Sequence, residues 1–400
     1  MTPHHAGTVL PRVTAAQRRA RLVRRHLLAP SVRERSAEAV ALALVGLHAT
    51  DPATVFLAAA ARIHAPTAAA IDHSLYDVPN GAPALERIRC MRRTMFVVPA
   101  RLAPAVRSAT VRDPQRHRAE TLTHLRQALG WDAPRYQAVE RAALAAITAR
   151  GRATAAQLAA DVPELRERIV TFPGKPYESR QRAGTPVLGA LAAEGRIRRD
   201  RPAGSWTSAQ FHWAPARPLP QIPAAQAKTA LARHYLSAFG PVTVEDLKWW
   251  TGWNLTDTRK ALAATGAQAV DLDEGTGYLL PEDLDTTRAE PEPAAALLPG
   301  LDPTPMGWRH RDWYLDPDHT KALFDRNGNI GPTVWWHGRV VGAWAQHPDG
   351  HINHHLLTDP GTEARAAVES EISRLTAFLD GTRITPCYRT PLERRLATHR

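Results

Sequence analysis

The chain predicts a mainly α fold with β (α+β): three tandem winged-helix units followed by a β-barrel-like C-terminal domain. Three observations predict it. A pattern of helix, short break, cap and second helix occurs three times. Each occurrence is followed by a further helix and a β-hairpin candidate, the order of a winged helix. Past a Pro/Ala/Glu-rich run the composition then turns to β-rich segments with one long helix.

In the first copy an apolar helix over Ala37–Leu44 meets Gly46-Leu47-His48-Ala49-Thr50, and Asp51-Pro52 reads as an N-cap with a first-turn proline. Residues 48–50 then form an extended bridge, which points His48 and Thr50 the same way. The helix Ala53–Ala61 follows, then a helix over Thr67–Leu75 and a hairpin over Arg87–Val98. In the second copy Ala142–Arg150 leads to Gly151-Arg152-Ala153, and Thr154 with Gln157 opens the next helix with a capping box. A helix over Thr185–Glu194 and a basic wing over Arg196–Trp213 complete it. In the third, Leu231–Phe239 leads to Gly240-Pro241-Val242 and a helix starting at Thr243, then Thr256–Ala264 and a hairpin over Ala267–Leu280. The second and third copies share G-x-x-T-x-x-x-L, which supports duplicated domains. Thr286–Pro299 reads as a linker. Gly331–Trp344 reads as two strands around a His337-Gly338 turn, and Glu363–Leu379 as a helix. The expected domains are 1–135, 136–222, 223–285 and 286–400.

Four hundred residues with 44% hydrophobic content can bury several cores. No apolar run approaches membrane-spanning length, and the start of the chain has no signal-peptide core. Two isolated cysteines, Cys90 and Cys387, give neither a disulfide framework nor a metal spacing, so a reducing cytoplasm is expected. The net charge of +12 is uneven: residues 1–200 carry +15 and residues 201–400 carry −3. A basic half points to a polyanion partner. Of the 51 basic residues 46 are arginine, suited to bidentate phosphate and guanine contacts. A GC-rich genome explains arginine over lysine, but not the asymmetry between halves. No Walker A, GxGxxG or GxSxG signature is present, which argues against nucleotide-dependent and serine-hydrolase chemistry. His351, His354 and His355 lack an HExxH or cysteine companion and read as an exposed hairpin, so no metal site is expected. Trp249, Trp250 and Trp253 read as core packing.

The His48–Thr50 bridge is the candidate site. The equivalent bridges are Gly-Arg-Ala in the second copy and Gly-Pro-Val in the third, so the architecture requires neither histidine nor threonine there. Asp51 and Pro52 have a structural task as cap and first turn. His48 and Thr50 have none, except as polar residues bonding a backbone carbonyl at a junction.

Taken together, the tandem units, the Arg93-Thr94-Met95-Phe96-Val97-Val98 wing and the stretches Leu298–Arg311, Gly328–Val334 and Gly338–Trp344 resemble the AlkZ/YcaQ family of winged-helix DNA glycosylases. The likeness covers nearly the whole chain. It implies a C-shaped clamp on duplex DNA, with a Gln-x-Gln or Gln-x-Asp motif just before an Asp-Pro-like helix start. Here His48 takes the first motif position and Thr50 the second, a departure from the family pattern. The resemblance implies base excision, in which His48 holds or deprotonates the attacking water. Thr50 would add a hydrogen bond, and Asp51 would supply a negative charge if the cap leaves it free. Arg62, Arg92, Arg93, Arg198, Arg199, Arg201, His310, Arg311, Trp336 and His337 are the expected DNA contacts. A lyase step needs an accessible amine. None of the five lysines lies near the motif, so monofunctional hydrolysis of bulky, alkylated or crosslinked bases is expected. No cofactor and no membrane partner are expected, and the protein reads as a monomer acting in the cytoplasm at the nucleoid. The alternative is a non-catalytic winged-helix DNA-binding protein, a regulator or damage binder, which would normally dimerise on two half-sites.

Overall fold

The computed structural model describes residues 10–77, 83–111, 113–171, 174, 178–284 and 291–398. The N-terminal residues 1–9, and residues 286–290 of the expected linker, lie outside them. Helix outweighs strand, 47% against 19%, so the architecture is mixed α/β with helix in the majority, as expected.

Helix α1 (Ala15–Arg25) is held at its start by a Thr14–Gln17 capping box. After α2 (Ala37–Ala43) the chain reverses through Val45, at φ 61, and Gly46, at φ 153. A Cβ on Gly46 would lie 3.0 Å from the Val97 carbonyl oxygen, so glycine permits the close approach that follows. There β1 (Leu47–His48) pairs with β3 (Met95–Pro99), which pairs in turn with β2 (Leu85–Arg89). Between β1 and β2 lie α3 (Pro52–Ala60), capped by Asp51 as the sequence predicts, and α4 (Ala68–Tyr76), capped by Thr67. Every residue of α3 is buried, so it is a core helix with no polar face.

Helices α5 (Ala103–Thr110) and α6 (Pro114–Leu129) lead to the second copy of the same order. It consists of α7 (Ala133–Arg150), β4 (Ala153–Thr154), α8 (Ala155–Asp161), α9 (Gly184–Glu194), β7 (Ile197–Pro202) and β8 (Phe211–Pro215). An extra hairpin, β5 (Arg168–Thr171) and β6 (Ser179–Arg182), is inserted before α9. The sheet order β4-β8-β7 repeats the β1-β3-β2 pattern. The third copy is α10 (Ala224–Phe239), α11 (Val244–Thr251), α12 (Leu255–Ala264), β9 (Gln268–Leu272) and β10 (Gly275–Leu279). Here the short first strand is a single bridge, Val242 to Tyr278. Helices α7 and α10 begin about two turns before the predicted segments. The opening residues of α10 are polar or alanine, so apolar periodicity does not mark them, whereas in α7 the buried Tyr136 and Val139 were an available sign.

The C-terminal part is an open antiparallel sheet of β11 (Ala295–Leu298), β12 (Thr333–Trp336), β13 (Arg339–Gln346) and β14 (Ile352–Leu356), in that order. Helices α13 (Thr320–Leu323), α14 (Thr362–Leu379) and α15 (Pro391–Thr398) accompany it. Two expectations change here. The expected linker 286–299 ends in β11, whose four residues are all buried. The expected barrel does not close: β11 and β14 are the outer strands, and α14 packs against β11 instead. Four strands are too few to wrap around a filled interior.

Strand β3 divides two cores. Phe96 and Val98 join the cluster shared with α5, α10 and α11, whereas Val97, Leu47 and Ala49 join the one shared with α3 and α14. The second copy has a core of its own, built around Leu125, Trp131, Tyr136 and Leu191. Its β7–β8 hairpin nevertheless reaches back to the first copy and the C-terminal part. Trp206 stacks on Phe56 at 5.0 Å between ring centroids and lies 5.9 Å from Phe378.

Candidate active site

His48 occupies the boundary between the two large cores. It pairs with Phe96 across the ladder, and the two rings meet edge to face at 5.0 Å. Ala49 continues the ladder by donating its N–H to the Met95 carbonyl at 2.8 Å and buries its methyl in the opposite core. His48 and Thr50 flank it on the other side, as alternation requires. His48 is 4% exposed, and neither its Nδ1 nor the Thr50 hydroxyl, both buried, has a hydrogen-bond partner among the described residues. Buried polar atoms are normally satisfied. Two unsatisfied ones at the junction of two helices form a constellation able to hold a third polar group. Burial, then the nearby Arg92 charge, pull the His48 pKa down to about 3. The imidazole is therefore neutral at physiological pH, with one donor and one acceptor nitrogen.

Arg92 sits in the tight turn joining β2 to β3, where it and Arg93 take left-handed φ of 50 and 62. Such strain in non-glycine residues persists where packing imposes it, and it clusters at functional sites. The packing is visible: Gly252, at the end of α11, abuts the Arg92 backbone. The Arg92 guanidinium lies over Trp249 at 4.1 Å, and Arg311 lies over the same ring at 4.9 Å. Burial, then Arg311, lower the Arg92 pKa to about 10, and its Nε is buried without a partner among the described residues. The result is a cationic, aromatic wall beside His48. Trp250 and Trp253 are core residues as predicted, but Trp249 belongs to this wall.

Asp51 is buried and doubly engaged. Its Oδ1 accepts from the Ala53 N–H at 3.1 Å, the cap of α3, and its Oδ2 accepts from the Cys387 N–H at 2.8 Å. The C-terminal segment is thus tied to the start of the motif helix, a connection no local sequence signal announces. Burial, then the Asp51 charge, push the Cys387 thiol up to about 11, so it is not an activated nucleophile.

A sequence model of the family described as DNA glycosylase AlkZ-like matches residues 41–378. The chain belongs to this family. An interstrand DNA cross-link repair glycosylase of Streptomyces sahachiroi is 32% identical over 126 residues, 30% of this chain and 34% of that protein. The chain thus matches in sequence about a third of the length of that curated relative. In the solved structure of the Streptomyces sahachiroi DNA glycosylase AlkZ the fold recurs at a TM-score of 0.68, with 20% identity, over 92% of this chain and 97% of the other.

In this AlkZ-like chain the structure relocates several of the expected DNA contacts. Arg62 is fully buried and donates to both Asp302 oxygens, Thr304 Oγ1 and the carbonyls of His26 and Ala58. With all its donors engaged inside the core, it has no route to a phosphate, and the expectation that it binds DNA is overturned. The expected basic wing does not project into solvent, because β7 packs beside β2. Arg198 pairs with Asp200 at 2.9 Å, and Arg201 with Asp72 and Asp77 of the first copy, each at 2.9 Å. These two arginines are committed to protein carboxylates. Among the described residues Arg199 has no carboxylate partner, and it lies over Phe211 at 4.2 Å. The His337-Gly338 turn is seated against α1, where a Cβ on Gly338 would meet Arg19 at 2.8 Å, so it is not a free probe. Trp336 packs partly into the core shared with α14. The His310 N–H donates to buried Asp246 at 3.0 Å, which fixes the loop that presents Arg311. Arg93 is exposed.

No helix is long and apolar enough to cross a membrane, and among the described residues no group of three His, Cys, Asp or Glu is placed to hold a metal.

Proposed function

We propose that this chain is a monofunctional DNA glycosylase that hydrolyses the N-glycosidic bond of bulky, alkylated or crosslinked bases. One observation carries the reading. At the position where the family places its motif, two buried polar groups, His48 Nδ1 and Thr50 Oγ1, stand without partners among the described residues. The neutral imidazole holds a water by hydrogen bonding, and Thr50 supplies a second bond to the same water or to a neighbouring phosphate. A His48 pKa near 3 makes it a poor proton acceptor, so orientation of the water is its contribution. As the bond from C1′ to a cationic alkylated base breaks, the base takes the bonding electrons and leaves neutral. The water oxygen bonds to C1′, and its proton passes to solvent. Asp51 acts as a positioning residue, holding the start of α3 and the Cys387 segment.

The three repeated helix–strand–helix–helix–hairpin orders support winged-helix units, arranged with the C-terminal sheet as a clamp on duplex DNA. Arg92, Arg93 and Arg311 offer phosphate contacts next to the motif. A single chain supplies three unequal units, which fits a monomer acting at the nucleoid in the cytoplasm.

The test is incubation with N7-alkylguanine and crosslinked duplexes, followed by detection of alkali-sensitive abasic sites, in parallel with His48→Ala and Thr50→Ala. Abasic product from the unaltered protein, lost in His48→Ala with DNA binding intact, supports the reading. Intact binding with no abasic product from any such duplex overturns it.

A further inference from the structure

A cavity of about 220 Å³ lies where the β2–β3 hairpin, α5 and α6 meet α9 and β7 of the second copy. Eight arginines line it against three carboxylates. Those carboxylates are already engaged: Asp113 caps α6, Glu120 pairs with Arg116, and Glu86 faces Arg198 and Arg217. Three of the guanidinium groups converge with no carboxylate partner among the described residues. Arg87 and Arg89 alternate along β2 and share one face. Arg199 approaches from β7.

Each of the three rests on neutral partners. Arg87 donates to the Tyr76 hydroxyl at 3.1 Å, and its Nε is buried without a partner. Arg89 Nε donates to the Arg93 carbonyl at 2.8 Å. Arg199 lies over the faces of Phe211 and Trp213. Burial, then the charges of Arg87 and Arg89, bring the Arg199 pKa down to about 10. Arg87 and Arg199 are partly buried and Arg89 is exposed, and like charges gathered at partly buried positions repel unless an anion neutralises them. Three forks arriving from two strands match a tetrahedral group with several acceptor oxygens better than a planar carboxylate, which two forks satisfy.

We propose that this cavity is a phosphate-binding site at the junction of the first and second copies, with Arg87, Arg89 and Arg199 as its ligands. The phosphate belongs either to a nucleic-acid backbone or to a free phosphate or nucleotide. The cavity adjoins the β2–β3 turn, whose Arg93 and Met95 also line it, and neither readout below involves base excision.

The experiment compares the full chain with an Arg87→Gln/Arg89→Gln double variant. Melting and calorimetric titration are followed with inorganic phosphate against chloride at matched ionic strength, and affinity is measured for an undamaged duplex. The unaltered protein is stabilised saturably by phosphate, and the variant binds phosphate about tenfold more weakly or worse. In chloride alone the variant melts at the same or a higher temperature, because the repulsion is gone. Should the double variant fail to fold, Arg199→Lys keeps the charge and removes the fork, and the same loss is expected. Weaker duplex binding by the variant assigns the phosphate to a backbone. Unchanged duplex binding with loss of the phosphate response assigns it to a free phosphate or nucleotide. No difference between the unaltered and variant proteins toward either phosphate or duplex overturns the site.

Discussion

Asp51 and Cys387 are 336 residues apart in the chain and are joined by a 2.8 Å hydrogen bond from the Cys387 N–H to the Asp51 carboxylate. The other carboxylate oxygen caps α3. One side chain therefore fixes both the helix that follows the His48–Thr50 bridge and the segment packed over its start. Asp51→Ala removes a cap, worth about 1 kcal/mol, and strands an amide at a cost of about 1–3 kcal/mol. A loss of about 2–4 kcal/mol is expected in urea unfolding, with early proteolysis after Gly381. Asp51→Asn keeps one acceptor and turns a donor toward the other amide, so it recovers about half of the loss. Unfolding unchanged in both variants would remove Asp51 from this role.

The cap at Asp51-Pro52 was legible because capping is local chemistry written in adjacent residues. The Thr154–Gln157 box was legible for the same reason. The tie to Cys387 was not, because nothing in either segment encodes its partner. Strand β11 was hidden by its alanines and flanking prolines, a composition that suits a linker equally well. Arg62 misled because sequence gives charge but not depth. Its place directly after α3, apolar but for Thr54, was the available sign of an interior residue. Trp249 shares a helix with the core residue Trp250, and only the approach of Arg92 and Arg311 separates their roles.

The proposed function makes His48 a water-holding group. His48→Ala is expected to lower single-turnover excision by about 10²–10⁴-fold while leaving DNA affinity within about twofold. His48→Gln restores the hydrogen-bonding capacity that the family motif uses and recovers part of the rate. Because His48 has a pKa near 3, no acid limb from it appears between pH 5 and 9. An apparent pKa of about 6–7 in the rate, absent in His48→Gln, would instead make it a titrating base.

The same histidine sets a stability slope. Its pKa is about 3 when folded against an ordinary 6.5, so below pH 6.5 the unfolded chain binds a proton that the folded chain refuses. Stability from this group is complete above 6.5 and falls as pH drops toward 3, by up to about 1.4 kcal/mol per pH unit. Buried His26 is lowered in the same direction, by burial and then Arg62, and adds to the slope. Urea midpoints measured from pH 7.5 to 4.5 should fall less steeply in His48→Gln than in the unaltered protein.

Arg62 and Asp302 form an ion pair with neither side chain exposed. Removing one partner leaves an uncompensated buried charge, which costs about 3–5 kcal/mol. Arg62→Met and Asp302→Ala are each expected to lower the urea midpoint sharply or to yield insoluble protein. Duplex affinity measured on whatever folds at low temperature should be unchanged. Weakened DNA binding without loss of stability would return Arg62 to the DNA surface.

Arg93 is the exposed arginine of the strained β2–β3 turn, next to the wall that Arg92, Trp249 and Arg311 build beside His48. An exposed guanidinium contributes through counterion release rather than through folding. Arg93→Ala is therefore expected to leave the melting temperature unchanged and to reduce the slope of log affinity against log salt by about 1. Arg92 differs, because its backbone is packed on Gly252 and its side chain on Trp249. Arg92→Ala should lower the salt slope and the stability together, since it uncovers one face of the indole and releases a packed turn. Arg201 provides the contrast: both its partners are carboxylates of the first copy, so Arg201→Ala should loosen the contact between copies and leave the salt slope alone. A salt slope lowered equally by Arg93→Ala and Arg201→Ala would mean that the β7–β8 hairpin leaves α4 when DNA binds. That outcome would restore the hairpin as a DNA contact.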